Sequence, residues 1–118
     1  MSWSKHAQEK KSTGVGSYNL TKDDYITTKQ HLERYGEDVK IVGGYINTKA
    51  PTGAHPTLFV ETRDGIKGLS LNKSYTAQFT EVFNDPDDVK AILDGKATGK
   101  LIKRYSDTFK KEYVALDI

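Results

Sequence analysis

The sequence predicts an α+β, mostly β domain: a five-stranded OB-like barrel of order β-β-β-α-β-β, preceded by an N-terminal arm and a helix. Three observations carry that expectation. The apolar period changes from helical to two at residue 38. The paired glycines Gly43-Gly44 break the first alternating run, as a bulge or sharp coil would. A helical segment separates the third and fourth strand patterns.

Residues 1–17 read as a flexible basic arm, with Lys5, Lys10 and Lys11, one Trp, and Gly14 and Gly16. No period fits them. Residues 18–118 read as one domain. Its first element is a helix over 21–35, capped by Thr21 with Asp24 three residues on and ended by Gly36. The thin stripe Tyr25, Ile26, Leu32 and Tyr35 predicts a helix lying on a surface, and His31 reads as one of its surface residues.

Strand one begins at Asp38-Val39-Lys40-Ile41-Val42 and continues through the glycines into Tyr45-Ile46. Residues 47–56 are a loop by composition, which includes His55. Thr57 to Thr62 is strand two, Arg63-Asp64-Gly65 a tight hairpin, and Ile66 to Leu71 strand three. Asn72 or Ser74 caps a helix over about 75–83. Asp85 caps a second, with Pro86 at its first position and Gly95 beyond its end. Gly99 to Tyr105 is strand four, Ser106-Asp107-Thr108 a turn, and Phe109 to Ile118 strand five. In the last strand Val114, Leu116 and Ile118 alternate with Tyr113, Ala115 and Asp117. Strands one and four are ambiguous by one residue as to which face is buried.

The chain has 118 residues, enough for a single core without staples. It contains no cysteine, which excludes disulfide frameworks, zinc knuckles and thiol chemistry. The N-terminus has no apolar h-region and no apolar run approaches a membrane span, so the expected location is the cytoplasm and no membrane partner is expected. No enzyme is expected. The three histidines lack metal-ligand spacing, no serine sits in a nucleophile elbow, and no cofactor or metal is implied. Gly95-Lys96-Ala97-Thr98-Gly99-Lys100 is one residue short of a phosphate loop and lies between helix and strand in the wrong order.

The net charge of +2 is mild, but its distribution is not. Residues 81–94 carry five carboxylates against Lys90, and residues 96–113 carry six cations against Asp107 and Glu112. A basic segment with aromatics suits single-stranded nucleic acid, whose bases stack on rings while cations follow the phosphates. The residues that fit are Tyr45, Phe59, Tyr105 and Tyr113 for stacking, and Lys103, Arg104, Lys110 and Lys111 for phosphate. Each is equally an ordinary strand or surface residue when taken alone.

Leu101-Ile102-Lys103-Arg104-Tyr105 and Lys111-Glu112-Tyr113-Val114-Ala115-Leu116, after a compact helix ending in Gly95-Lys96, resemble the end of small virus- or phage-encoded OB-fold single-stranded DNA-binding proteins. The resemblance covers 38–118 in element order. It implies non-sequence-specific binding of single-stranded DNA, or RNA, in replication or recombination. The chain ends in Leu116-Asp117-Ile118 and lacks the acidic tail by which bacterial binding proteins recruit partners. The alternative is a protein-interaction module, such as a viral inhibitor or regulator of a host complex, using the acidic segment or a strand edge. A structural subunit that forms homo-oligomers through an edge strand is the third reading.

Overall fold

The computed structural model describes residues 14–48 and 53–118, so the arm before Gly14 lies outside the described residues. Its strands are β1 (Gly14–Val15), β2 (Tyr25–Thr27), β3 (Asp38–Asn47), β4 (His55–Thr62), β5 (Gly65–Ser70), β6 (Thr98–Ser106) and β7 (Lys111–Asp117). Its helices are α1 (Thr28–Tyr35), α2 (Thr76–Asn84) and α3 (Pro86–Leu93). The α+β, mostly sheet expectation holds. The strands from Asp38 onward fall in the expected order, with β4 starting two residues early, at His55.

The closed five-stranded barrel does not occur. The sheet is a curled, open half-barrel of order β2-β5-β4-β3-β6-β7, with β1 added beside β3. Closing five strands would require β5 to pair with β7. Instead β2 runs parallel to β5, Tyr25 opposite Gly68 and Ile26 opposite Leu69, and fills that edge. β2 consists of residues expected to be helical. Only Thr28–Tyr35 forms an α-helix, capped by Thr27, whose hydroxyl accepts from the Gln30 N–H while the Gln30 side chain accepts from the Thr27 N–H. The Thr21–Asp24 signature exists but caps a single 3-10 turn, Lys22–Asp24. A start signal was therefore genuine, and the element it starts is one turn long. The β-branched Ile26 and Thr27 then favour a strand, and Ile26 is buried among the core residues.

The glycine pair does produce the expected irregularity, a register shift between Ile41 and Gly43. It also lets both faces of β3 be approached closely. A Cβ at Gly44 would sit 2.8 Å from a Phe83 ring carbon, and one at Gly43 would sit 2.5 Å from the Val15 carbonyl oxygen. α2 and α3 thus pack on one face, where Phe79, Phe83 and Ile92 meet Val39, Ile41, Leu58, Val60 and Leu69. On the other face residues 16–24 cross from β1 to β2 as a strap. Tyr18 lies edge-on to Phe59 at 5.1 Å, and Leu20 and Tyr25 lie over Gly68.

α1 contacts β2, β5 and β7, and so occupies the gap between the two ends of the curled sheet. This placement overturns the surface assignment of His31, which is 1% exposed. Its Nδ1 lies 3.2 Å from the Gly36 carbonyl oxygen, and its ring meets Tyr35 edge-on. Burial pushes the imidazole below the usual histidine range, partly opposed by the hydrogen bond to Gly36. The folded protein therefore holds His31 neutral at pH values where the unfolded chain takes a proton, below about 6.5. The stability from this group is complete above that value and is lost as pH falls through it toward the folded pKa. Urea midpoints should drop between pH 7 and pH 5, and His31→Phe should flatten that dependence even if it shifts the midpoint. An equal drop in the variant would assign the effect elsewhere.

Candidate nucleic-acid interface

β6 is longer than its place in the sheet requires. Only Asp38–Lys40 of β3 pair with it, opposite Lys100–Thr98. Beyond Lys100, β6 and β7 leave the sheet as a two-stranded ribbon in the register Lys103–Val114, Arg104–Tyr113, Tyr105–Glu112 and Ser106–Lys111. The turn is closed by the Phe109 N–H donating to Ser106 Oγ at 3.2 Å, and Lys110 takes φ 52°. Phe109 belongs to this turn, two positions before the strand expected to start with it, which begins at Lys111.

Two hydrogen bonds fix which backbone groups of the ribbon are inward. The Leu101 N–H donates to the Glu37 carbonyl at 2.8 Å, away from β7. The Leu116 N–H donates to the Tyr75 hydroxyl at 2.9 Å, away from β6. These two residues face each other in the register. Alternation along an antiparallel pair then turns the N–H and C=O groups of Lys103 and Tyr105 outward on one edge. Those of Glu112 and Val114 turn outward on the other. Open edges of this kind invite pairing, and the charges of Lys103, Arg104, Lys110 and Lys111 oppose pairing between like copies.

The ribbon carries Lys103, Arg104, Lys110 and Lys111, all exposed. None forms an ion pair with another described residue; the ion pairs among the described residues are Lys40–Glu61, Lys67–Asp24 and Lys100–Asp38. Tyr105 is 59% exposed, Phe109 73% and Tyr113 44%. Tyr105 and Tyr113 are not on one face. Tyr105 shares its side with Lys103, Glu112 and Val114, and Tyr113 shares the opposite side with Arg104. Lys103, Glu112 and Val114 face α1 across a cleft of about 200 Å3, whose other wall includes Lys29 and Leu32.

Tyr45 and Phe59 are elsewhere. Phe59 is buried at 6% exposure beneath the strap, so its ring offers no surface for a base and leaves the stacking set. The reason is a feature invisible in β4 itself: Tyr18 and Tyr45 both pack against that ring. The Tyr45 hydroxyl is hydrogen-bonded with that of Tyr25, which with desolvation holds the Tyr25 proton above the usual tyrosine range. Tyr45 lies seven residues along β3 from Asp38, while Tyr105 lies five beyond Lys100, the partner of Asp38, in the other direction. At about 3.3 Å per residue that is roughly 30–40 Å of separation. The structure thus brings together six of the expected residues on the ribbon and leaves these two in a separate aromatic cluster.

Sequence reasoning missed Phe109, Lys29 and Leu32. Phe109 was open to detection, since a bulky apolar residue inside a polar turn has no core to reach. Lys29 and Leu32 were not, because nothing local says that α1 lies beside the last strand. No helix among the described residues is long and apolar enough to cross a membrane. Comparisons with protein-family models, with characterised proteins and with solved structures find no match to this chain.

Proposed function

We propose that the protein binds single-stranded nucleic acid without sequence preference, through the β6–β7 ribbon, as a binding protein of replication or recombination and not as an enzyme. The observation that carries this reading is the ribbon itself: four exposed cations without described carboxylate partners, interleaved with three exposed rings. Phosphates take the cations, and bases take the rings, which accept any base because every base has a π-face. Lys103 and Tyr105 serve one side of the ribbon, Arg104 and Tyr113 the other, with Phe109, Lys110 and Lys111 at its tip.

The test is the salt dependence of oligo-dT affinity. For a single strand the slope of log K against log salt is about −0.7 per phosphate contact. Replacing Lys103, Arg104, Lys110 and Lys111 together by alanine should flatten the slope by about that amount for each cation in contact. An unchanged slope with unchanged affinity removes the ribbon from the account. The open strand edges support a second reading, addition of an extended segment of a protein partner to Glu112–Val114 or Lys103–Tyr105. That reading gains if oligo-dT fails to bind at low salt.

A further inference from the structure

The two tyrosines of the ribbon stand back to back. Tyr105 and Tyr113 occupy neighbouring rungs of the β6–β7 register, on opposite sides of it. Each has a cation on its own side, Lys103 with Tyr105 and Arg104 with Tyr113. Lys111, two residues from Tyr113 along β7, shares the Tyr113 side. Residues 102–105 and 107–113 are all exposed, so both sides are open there. At the apex Phe109 is the most exposed large apolar side chain among the described residues, at 73%. The ribbon also carries two carboxylates. Asp107 lies in the turn, and Glu112 lies across from Tyr105 on the Lys103 side. From Ile102 to Ser106 the rungs of the Tyr113 side carry none.

A base stacked on Tyr105 and a base stacked on Tyr113 have the whole peptide layer of the ribbon between them, because side chains leave a strand on opposite faces. Two such bases cannot pair with each other. Two complementary strands that part at the apex fit this arrangement, one passing on each side. Phe109 then meets the last base pair, as apolar side chains wedge into base steps of kinked duplexes. Cations on both sides take phosphates of the diverging strands. The charges make the sides unequal: Arg104 and Lys111 hold one strand, while Glu112 offsets Lys103 on the other, where the Tyr105 ring carries more of the contact. We infer that the ribbon is a strand-parting wedge whose preferred ligand is a fork, the place where a duplex opens into two single strands. The inference rests on the single-strand reading of the ribbon and names the form of nucleic acid that uses both its sides and its tip.

The experiment titrates the full-length protein into a forked duplex with two oligo-dT arms, and into oligo-dT of the arms' summed length. A fluorescent adenine analogue, quenched by stacking, occupies the base pair at the junction. A lone strand offers the Phe109 ring one base, whereas the fork offers it the end of a base pair. One further stacked base should make the fork bind about fivefold or more tightly than oligo-dT. The analogue should brighten as the junction pair is parted. Phe109→Ala should bring the fork and oligo-dT to equal affinity and abolish the brightening, whatever it does to oligo-dT binding itself. Phe109→Trp should retain both effects. The hydrogen bond that closes the turn is donated by the Phe109 backbone, so neither substitution removes it. Equal binding of fork and oligo-dT by the wild type overturns the wedge and leaves the ribbon reading standing. A fork preference or a brightening that survives Phe109→Ala does the same. Failure of the wild type to bind oligo-dT removes both.

Discussion

Replacing Tyr105 and Tyr113 together by alanine is expected to weaken oligo-dT binding about thirtyfold or more, with the fold unchanged. Each stacked base is worth roughly 1–3 kcal/mol, and the low end for two bases already gives that factor. Both rings are exposed and in the ribbon, so truncation removes little core contact. Their opposite orientation makes the single variants informative. If the strand wraps the ribbon, the two effects add, since the rings share no partner. If it follows one side, only one variant is weakened. Anisotropy with labelled oligo-dT measures all three. Wild-type affinity in the double variant sinks the stacking mechanism.

The largest expected stability effect lies at the other end of the molecule. Phe83 is 1% exposed, lies tilted against Phe79 with ring centroids 5.9 Å apart, and reaches the face of β3 that Gly44 leaves open. Phe83→Ala removes a buried ring and leaves a cavity against a rigid strand pair, at a cost of about 3–5 kcal/mol. For a chain of this length that is roughly 12–20 °C in melting temperature. Gly44→Val should also destabilise, from the opposite side of the same contact, because its side chain would meet Phe83 and the Thr57 carbonyl oxygen. A calorimetric scan in which Phe83→Ala melts within a few degrees of wild type would contradict this placement of the core. The ribbon is remote from this contact, so residual folded protein should keep its oligonucleotide affinity.

Most of the strand pattern was legible because its signals are local. The Gly43-Gly44 interruption, the Arg63-Asp64-Gly65 turn and the Asp85-Pro86 cap each act within a few residues, and each appears where read; the Asp85 carboxylate accepts from the N–H groups of Asp87 and Asp88. What failed depends on long-range pairing. Tyr25-Ile26-Thr27 has only two β-branched residues to set against the helix-start signature Thr21–Asp24, which does not decide for a strand until β5 is known to lie beside it, and that one misreading hid the reason the barrel stays open. The same applies to His31, whose burial follows from where α1 docks and not from its neighbours in sequence. Phe59 read as an outer-face residue of its strand because Tyr18, which covers it, belongs to the stretch between the segments read as arm and helix. The ribbon residues, by contrast, could be found from composition alone. A turn between two strands rich in Lys, Arg and Tyr has no second layer to bury it, so exposure follows from placement at the end of the chain's last hairpin. Their division between two sides of the ribbon follows only from the register.

The most direct test of single-strand binding is a titration of labelled oligo-dT against the same sequence as a duplex, and as RNA, at low and moderate salt. The account predicts binding that prefers the single strand and weakens steeply as salt rises. Equal binding of single strand and duplex would reduce the ribbon to a nonspecific cationic arm, and no binding even at low salt would contradict the account and leave the open strand edges as the surface to explain.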